Sequence, residues 1–176
     1  MITLAPSLKV LLLVLAAAAA AIDLRTRKIP NWLTVSGAVA GLAGNVMVGS
    51  WPGLRTAALG LGVALVVYLL LYTLRGVGGG DVKLMAAAGS ITGASHWILL
   101  FVLTSIAGGV CAVVLMIAKG RVRSTLRNVG RILGSLLRFQ APFKENPDLD
   151  VANPEALRMP HALSIALGTL AFLAIA

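Results

Sequence analysis

Val10-Leu11-Leu12-Leu13-Val14-Leu15, continued by Ala16–Ala21 and Ile22, is an unbroken apolar run (VLLLVLAAAAAAI). Lys9 precedes it, and Asp23, Arg25, Arg27 and Lys28 follow it. If the run starts at Leu4 or Ala5 it is long enough to cross a bilayer, which takes about 20 apolar residues. A secretory signal peptide competes for the same stretch, because a lysine precedes a short alanine-rich core. The charges argue against it: three bases follow the run and one precedes it. By the positive-inside rule that places the N-terminus outside. The rest of the chain has the same character, with 59% hydrophobic residues, 12% charged residues and a mean hydropathy of +0.94. Soluble domains carry about 25% charged residues. The fold class is therefore all-α, a polytopic membrane helix bundle, and residues 1–176 form a single integral-membrane domain.

Further apolar segments follow in order. Pro30 breaks the chain, and Asn31 is placed to cap a second helix over about 32–50, where Gly37, Gly41 and Gly44 share nearly one face for close packing. Trp51-Pro52-Gly53 makes a turn into a third helix, about 54–74. A fourth helix begins near Asp81 and stops around Gly93, short for a crossing and in need of shielding by its neighbours. A fifth covers about 96–118, and a last run covers 160–176. Six crossings result, with inner loops at 23–31, 75–83 and 119–159. Of the 15 Lys and Arg residues, only Lys9 and Arg55 then lie outside. Trp32 belongs at the inner interface, and Trp51 and Trp97 at the outer one, as an aromatic belt. In segment 119–159, Val122, Leu126, Val129, Leu133, Leu136 and Leu137 repeat at helical spacing beside Arg123, Arg127 and Arg131. This predicts a basic amphipathic helix on the cytoplasmic leaflet, in contact with anionic lipid, followed by a proline-rich connector. The net charge of +9 fits the inner loops, and no nucleic-acid-binding signature accompanies it. Cys111 is the one cysteine, so neither an internal disulfide nor a cysteine zinc site can form within this sequence.

The acids are sparse and informative. Glu145, Asp148, Asp150 and Glu155 lie together in the polar connector, whereas Asp23 and Asp81 adjoin apolar runs. Two crossings separate Asp23 from Asp81, so both are expected at the same, cytoplasmic, end. An ionised carboxylate near hydrocarbon costs a few kcal/mol, so such residues tend to face a cavity and to function there. Two of them close together share a proton. The ionised member can then take a proton from water while the protonated one donates to a scissile carbonyl. Such a pair needs neither cofactor nor metal. The plainer alternatives are that Asp81 caps the fourth helix and that Asp23 pairs with Arg25 or Arg27. A transporter subunit with Asp23 and Asp81 as proton- or ion-relay carboxylates is the alternative function. Two carboxylates holding a divalent cation, and a protease cutting within the bilayer, are further readings. Lys83 either snorkels to headgroups or substrate backbone, or sits beside Asp81. His96 reads as incidental, and His161 as a buried, neutral, hydrogen-bonded side chain, with a catalytic part as the alternative.

The residues themselves carry a resemblance. Asp23-Leu24-Arg25-Thr26-Arg27-Lys28-Ile29-Pro30-Asn31 resembles the first box of the type IV prepilin peptidases, and Gly78-Gly79-Gly80-Asp81-Val82-Lys83 resembles their G-x-G-D box. The resemblance implies a membrane aspartic endopeptidase that cleaves the leader of prepilins or pseudopilins at the cytoplasmic face of the bacterial inner membrane. Asp23 and Asp81 would be the catalytic pair, and Gly78 and Gly80 would shape the loop. Lys83 would contact substrate or loop, and Arg25 and Lys28 would meet an acidic residue of the substrate. Larger members carry a cysteine-paired soluble region and methylate the product. Here the chain enters the membrane at once with one cysteine, so N-methyltransferase activity is not expected. The ending Met159-Pro160-His161-Ala162-Leu163 departs from a Pro-Tyr-Gly-like box and looks most like the short Tad/Flp-pilus (TadV/CpaA-like) branch.

Overall fold

The computed structural model describes residues 4–74, 76–120 and 161–175, together with 122, 130 and 134. Among these residues the chain forms helices and no strand. α1 spans Pro6–Thr26, α2 Asn31–Thr73, α3 Gly79–Ala118 and α4 His161–Ile175. The first three are long and apolar enough to cross a membrane, and α4 is a shorter apolar helix. The chain divides into two units, Met1–Gly108 with Pro160–Ala176, and Gly109–Met159. In the second unit the described residues include the last turns of α3 and a turn at Gly120 (φ 62°). The expected amphipathic helix and its connector lie largely outside the described residues.

α1 begins with Pro6, where a missing N–H costs nothing. It ends at Arg27, whose left-handed conformation (φ 54°) lets its N–H close on Asp23 O at 2.8 Å. Its 21 residues cover about 31 Å at 1.5 Å per residue, the thickness of a hydrocarbon core. Leu8, Leu12, Leu15, Ala16, Ala19, Ala20 and Asp23 form its buried face, at the three- and four-residue spacing that keeps side chains on one side of a helix.

α2 and α3 each reverse at a single residue. At Ser50 the backbone takes φ 51° and ψ −135°, and a Cβ on Gly53 would run into Asn45 O. Eight residues of straight helix would separate these groups by about 12 Å, so the chain turns back there. Pro52 falls in the first turn of the second limb, where proline is tolerated. In α3 the reversal is at Gly93 (φ 75°, ψ 164°), a conformation that favours glycine. Trp97 Nε1 donates to Met85 O at 3.2 Å, across twelve residues that would span about 18 Å if straight. The six apolar segments of the sequence thus appear as four helical elements, two of them bent back on themselves.

The first limb of α3, residues 79–92, is buried on every side from Leu84 onward, so that part of it is shielded by neighbouring helices as expected. Apolar side chains gain little by leaving lipid for protein, so close packing must hold such a bundle together. A Cβ on Gly37 would stand 2.7 Å from Leu15 Cδ1, one on Gly44 2.8 Å from Leu8 Cδ2, and one on Gly41 2.9 Å from Ile91 N. The glycine face of α2 therefore seats on α1 and on the first limb of α3. Gly60 and Gly89 bring the second limb of α2 into backbone contact with that same limb. Asn45 Nδ2 lies 3.0 Å from Gly41 O, 2.9 Å from Ser90 O and 3.0 Å from Ile91 O. An interior amide that would be costly in lipid is thereby satisfied. α1 packs against both α2 and α4.

The expectation for Trp97 fails. Trp97 is 1% exposed and is not part of an outer belt. It stacks on Phe101 (centroids 5.4 Å apart) and meets Tyr68 edge-on at 6.2 Å. Its indole N–H found a carbonyl inside the bundle, which removes the need for the polar interface. Trp32 and Trp51 are exposed.

Candidate active site

Asp23 occupies the last turn of α1 on the helix's buried face and is 9% exposed, while Leu24, Arg25, Thr26, Arg27 and Lys28 are all exposed. The carboxylate is thus turned into the bundle and away from the bases that follow it. Thr26 Oγ1 lies 2.9 Å from Ile22 O and 3.0 Å from Lys28 O, tightening the turn into the linker. That linker then runs against the glycine loop: a Cβ on Gly80 would stand 3.2 Å from Ile29 Cβ.

Asp81 lies in the first turn of α3 and is partly buried. Gly78 N–H donates to Asp81 Oδ2 at 3.1 Å, and Gly78 O accepts from the N–H groups of Asp81 (3.1 Å) and Val82 (3.3 Å). Asp81 is therefore not the N-cap itself. It is the third helical residue reaching back to the cap, the acidic half of a capping box. The same carboxylate both ends the helix and faces the site: Oδ2 serves the cap, and among the described residues Oδ1 has no hydrogen-bond partner. A side chain on Gly78 would come within 3.1 Å of Oδ2, as one on Gly80 would meet Ile29.

A second tie joins the two boxes. Lys83 Nζ donates to Asn31 Oδ1 at 2.8 Å. Neither expectation for Lys83 named this bond to the first residue of α2. Asn31 likewise does not cap α2. Pro30 is the N-cap, in extended conformation and without a side-chain cap bond, which frees the Asn31 amide for Lys83.

Asp23 and His161 both lie within electrostatic reach of Asp81. Tyr68 also lies within the field of Asp81. Its ring is 6.5 Å from that of His161, and Tyr72, one turn along α2, is the side chain nearest Gly79. One face of α2 therefore touches both His161 and the loop that carries Asp81. Sequence reasoning missed Tyr68, which sits unmarked in an apolar run. It placed His161 in the protein interior, and there Nε2 is buried without a protein partner among the described residues. Arg25 and Lys28 are exposed beside the site. Among the described residues no three His, Cys, Asp or Glu side chains form a metal-binding cluster.

A helical membrane bundle that gathers two carboxylates from separate helices at the ends of two apolar runs is the class that this fold and site define. The chain belongs to the type IV leader peptidase family, whose model matches residues 10–113, a stretch containing both boxes. It is 37% identical over 107 residues to the prepilin leader peptidase/N-methyltransferase of Neisseria gonorrhoeae, covering 57% of this chain and 37% of that protein. It is 34% identical over 110 residues to the protein of the same description from Xanthomonas campestris pv. campestris, covering 59% of this chain and 38% of that one. The match thus spans well under half the length of these relatives. No solved structure matches the chain.

Proposed function

We propose that this chain is an aspartic endopeptidase of the bacterial inner membrane that removes the leader peptide of prepilins or pseudopilins, with Asp23 and Asp81 as its catalytic pair. The observation that carries the reading is the convergence of the two boxes: Asp23 on the buried face of α1, Asp81 within its field, Ile29 against Gly80 and Lys83 on Asn31. With one proton shared between the carboxylates, the ionised member takes a proton from water as that water attacks the scissile carbonyl. The protonated member donates to the carbonyl oxygen, and the proton pattern reverses as the amine leaves. The Asp81 oxygen not engaged by Gly78 is the one available for this exchange.

The asymmetry of basic loops supports a pair at the cytoplasmic face, with the substrate's own helix against the bundle and its leader junction beside Arg25 and Lys28. Prepilins of Tad/Flp-type pili are the substrates to try first. The relay-transporter alternative has no comparable support, because the family match is to peptidases.

The test is co-expression with a prepilin, comparing wild type with Asp23→Asn and Asp81→Asn. The wild type yields the shortened band and neither variant does, while both still insert in the membrane. Full processing by both variants would end the aspartic reading. The mass of the processed N-terminus reads separately whether a methyl group is added, the second activity in the relatives' descriptions.

A further inference from the structure

Two facts about His161 are not accounted for by a carboxylate pair alone. First, Nε2 is buried and has no protein hydrogen-bond partner among the described residues, although buried polar atoms are paired in the large majority of cases. Second, the ring opens α4, the helix packed on the Asp23-bearing α1. It also lies 6.5 Å from Tyr68, on the face of α2 that meets the glycine loop. The hydroxyls of Thr104, Ser164 and Thr169 are also buried without a partner, but His161 alone of these four carries a ring nitrogen, and the other histidine ring has a partner, with His96 Nδ1 3.1 Å from Thr92 O.

We propose that His161 is a third catalytic residue, presenting its Nε2–H to the scissile carbonyl oxygen as negative charge builds there. The inference rests on the peptidase reading above. The chemistry leaves room for such a donor. The attacking water is already held by the carboxylates, and the carbonyl oxygen receives one proton from the protonated aspartate. A second, neutral or cationic donor stabilises that oxygen in the transition state without competing for the water, the role played by oxyanion-hole groups. Tyr68 lies 6.5 Å from the imidazole ring, and a donor away from bulk water is worth more than the same donor in solvent.

Three substitutions test it. His161→Phe keeps the ring against Tyr68 but removes both nitrogens. His161→Gln carries an amide N–H out to the distance of Nε2, whereas His161→Asn carries one only to that of Nδ1. Loss of one oxyanion donor costs about 100-fold or more in kcat. The expected result is therefore a fall of about 100-fold in kcat for Phe and Asn, with KM within about twofold of wild type, and substantial recovery by Gln. Thermal stability in detergent is expected to be alike for Gln and Asn, so that their comparison stands even if the Phe variant does not fold. Unchanged kcat in Phe or Asn, a loss confined to KM, or Gln no better than Asn would each overturn the proposal. Wild type and Asp81→Asn run alongside separate the two levels. Cleavage by wild type, lost in Asp81→Asn but kept in the His161 variants, removes only the histidine's role. Absence of cleavage by wild type removes the peptidase reading and the histidine's role with it.

Discussion

Replacing Gly80 by alanine separates the site from the fold more cleanly than replacing a carboxylate does. Gly80 sits in the first turn of α3 and is not among the residues of positive φ, so alanine fits its backbone. By helix propensity alone the change stabilises by up to about 1 kcal/mol. The new methyl meets one neighbour, Ile29, at 3.2 Å from Cβ and 3.5 Å from Cδ1 and Cγ1. Ordinary contact between carbons is about 3.5–4.0 Å, so Ile29 must withdraw by roughly half an ångström. Ile29 lies in the linker between Asp23 and Asn31, and its shift is passed to the carboxylate pair. A displacement of 1 Å at a reacting centre costs about 100-fold, so half of that predicts about a tenfold loss of kcat. Gly80→Ala is thus expected to be at least as stable as wild type in detergent and about ten times slower in prepilin cleavage. Adding Ile29→Ala, which removes the Cγ1 and Cδ1 contacts and frees the linker to settle, is expected to restore most of the rate. Full activity of Gly80→Ala would refute the reasoning. So would a loss that tracks unfolding, or a double variant slower than the single.

Other outcomes follow from the same geometry. Asp81→Asn keeps an acceptor for the Gly78 N–H and is expected to hold its stability while losing cleavage, whereas Asp81→Ala loses about 1 kcal/mol as well; thermal unfolding of the two variants checks this. Lys83→Met and Asn31→Ala are each expected to slow cleavage by no more than about tenfold, since an exposed hydrogen bond is worth about 1 kcal/mol. The double variant should be no worse than either single, and additive losses would show that the Lys83–Asn31 bond is not what matters. Gly60→Val drives a side chain into the backbone around Gly89 and Gly93 and is expected to abolish the folded bundle, read as loss of a monodisperse peak in size-exclusion chromatography. Trp97→Phe removes the indole donor to Met85 O and is expected to cost about 1 kcal/mol in stability with little change in KM.

Much of this site is legible from residue order. Asp23 and Asp81 stand out because each ends or begins an apolar run that holds no other acid, and a charge there is too costly to be idle. The glycine face of Gly37, Gly41 and Gly44 is legible too, because helical periodicity places those residues together whatever they pack against. Tyr68, Trp97 and His161 are different. Each is an amphipathic ring within or beside an apolar stretch, and its role depends on which carbonyl, carboxylate or ring lies opposite. Trp97 reads as an interface anchor until the reversal at Gly93 brings Met85 O within its reach.

The sequence by itself determined that the chain is a helical membrane bundle, and it set two isolated carboxylates, Asp23 and Asp81, apart from its other acids. Hydropathy and the count of crossings are properties of the chain in order, and they need no knowledge of neighbours. Only the tertiary structure decided that Asp81 closes its own helix through Gly78, that Lys83 ties to Asn31, and that Tyr68 and His161 complete the surroundings of the pair. Those contacts join residues up to 93 positions apart, between Tyr68 and His161. They arise from where the helices turn back and how closely their glycines let them approach, which no local pattern encodes.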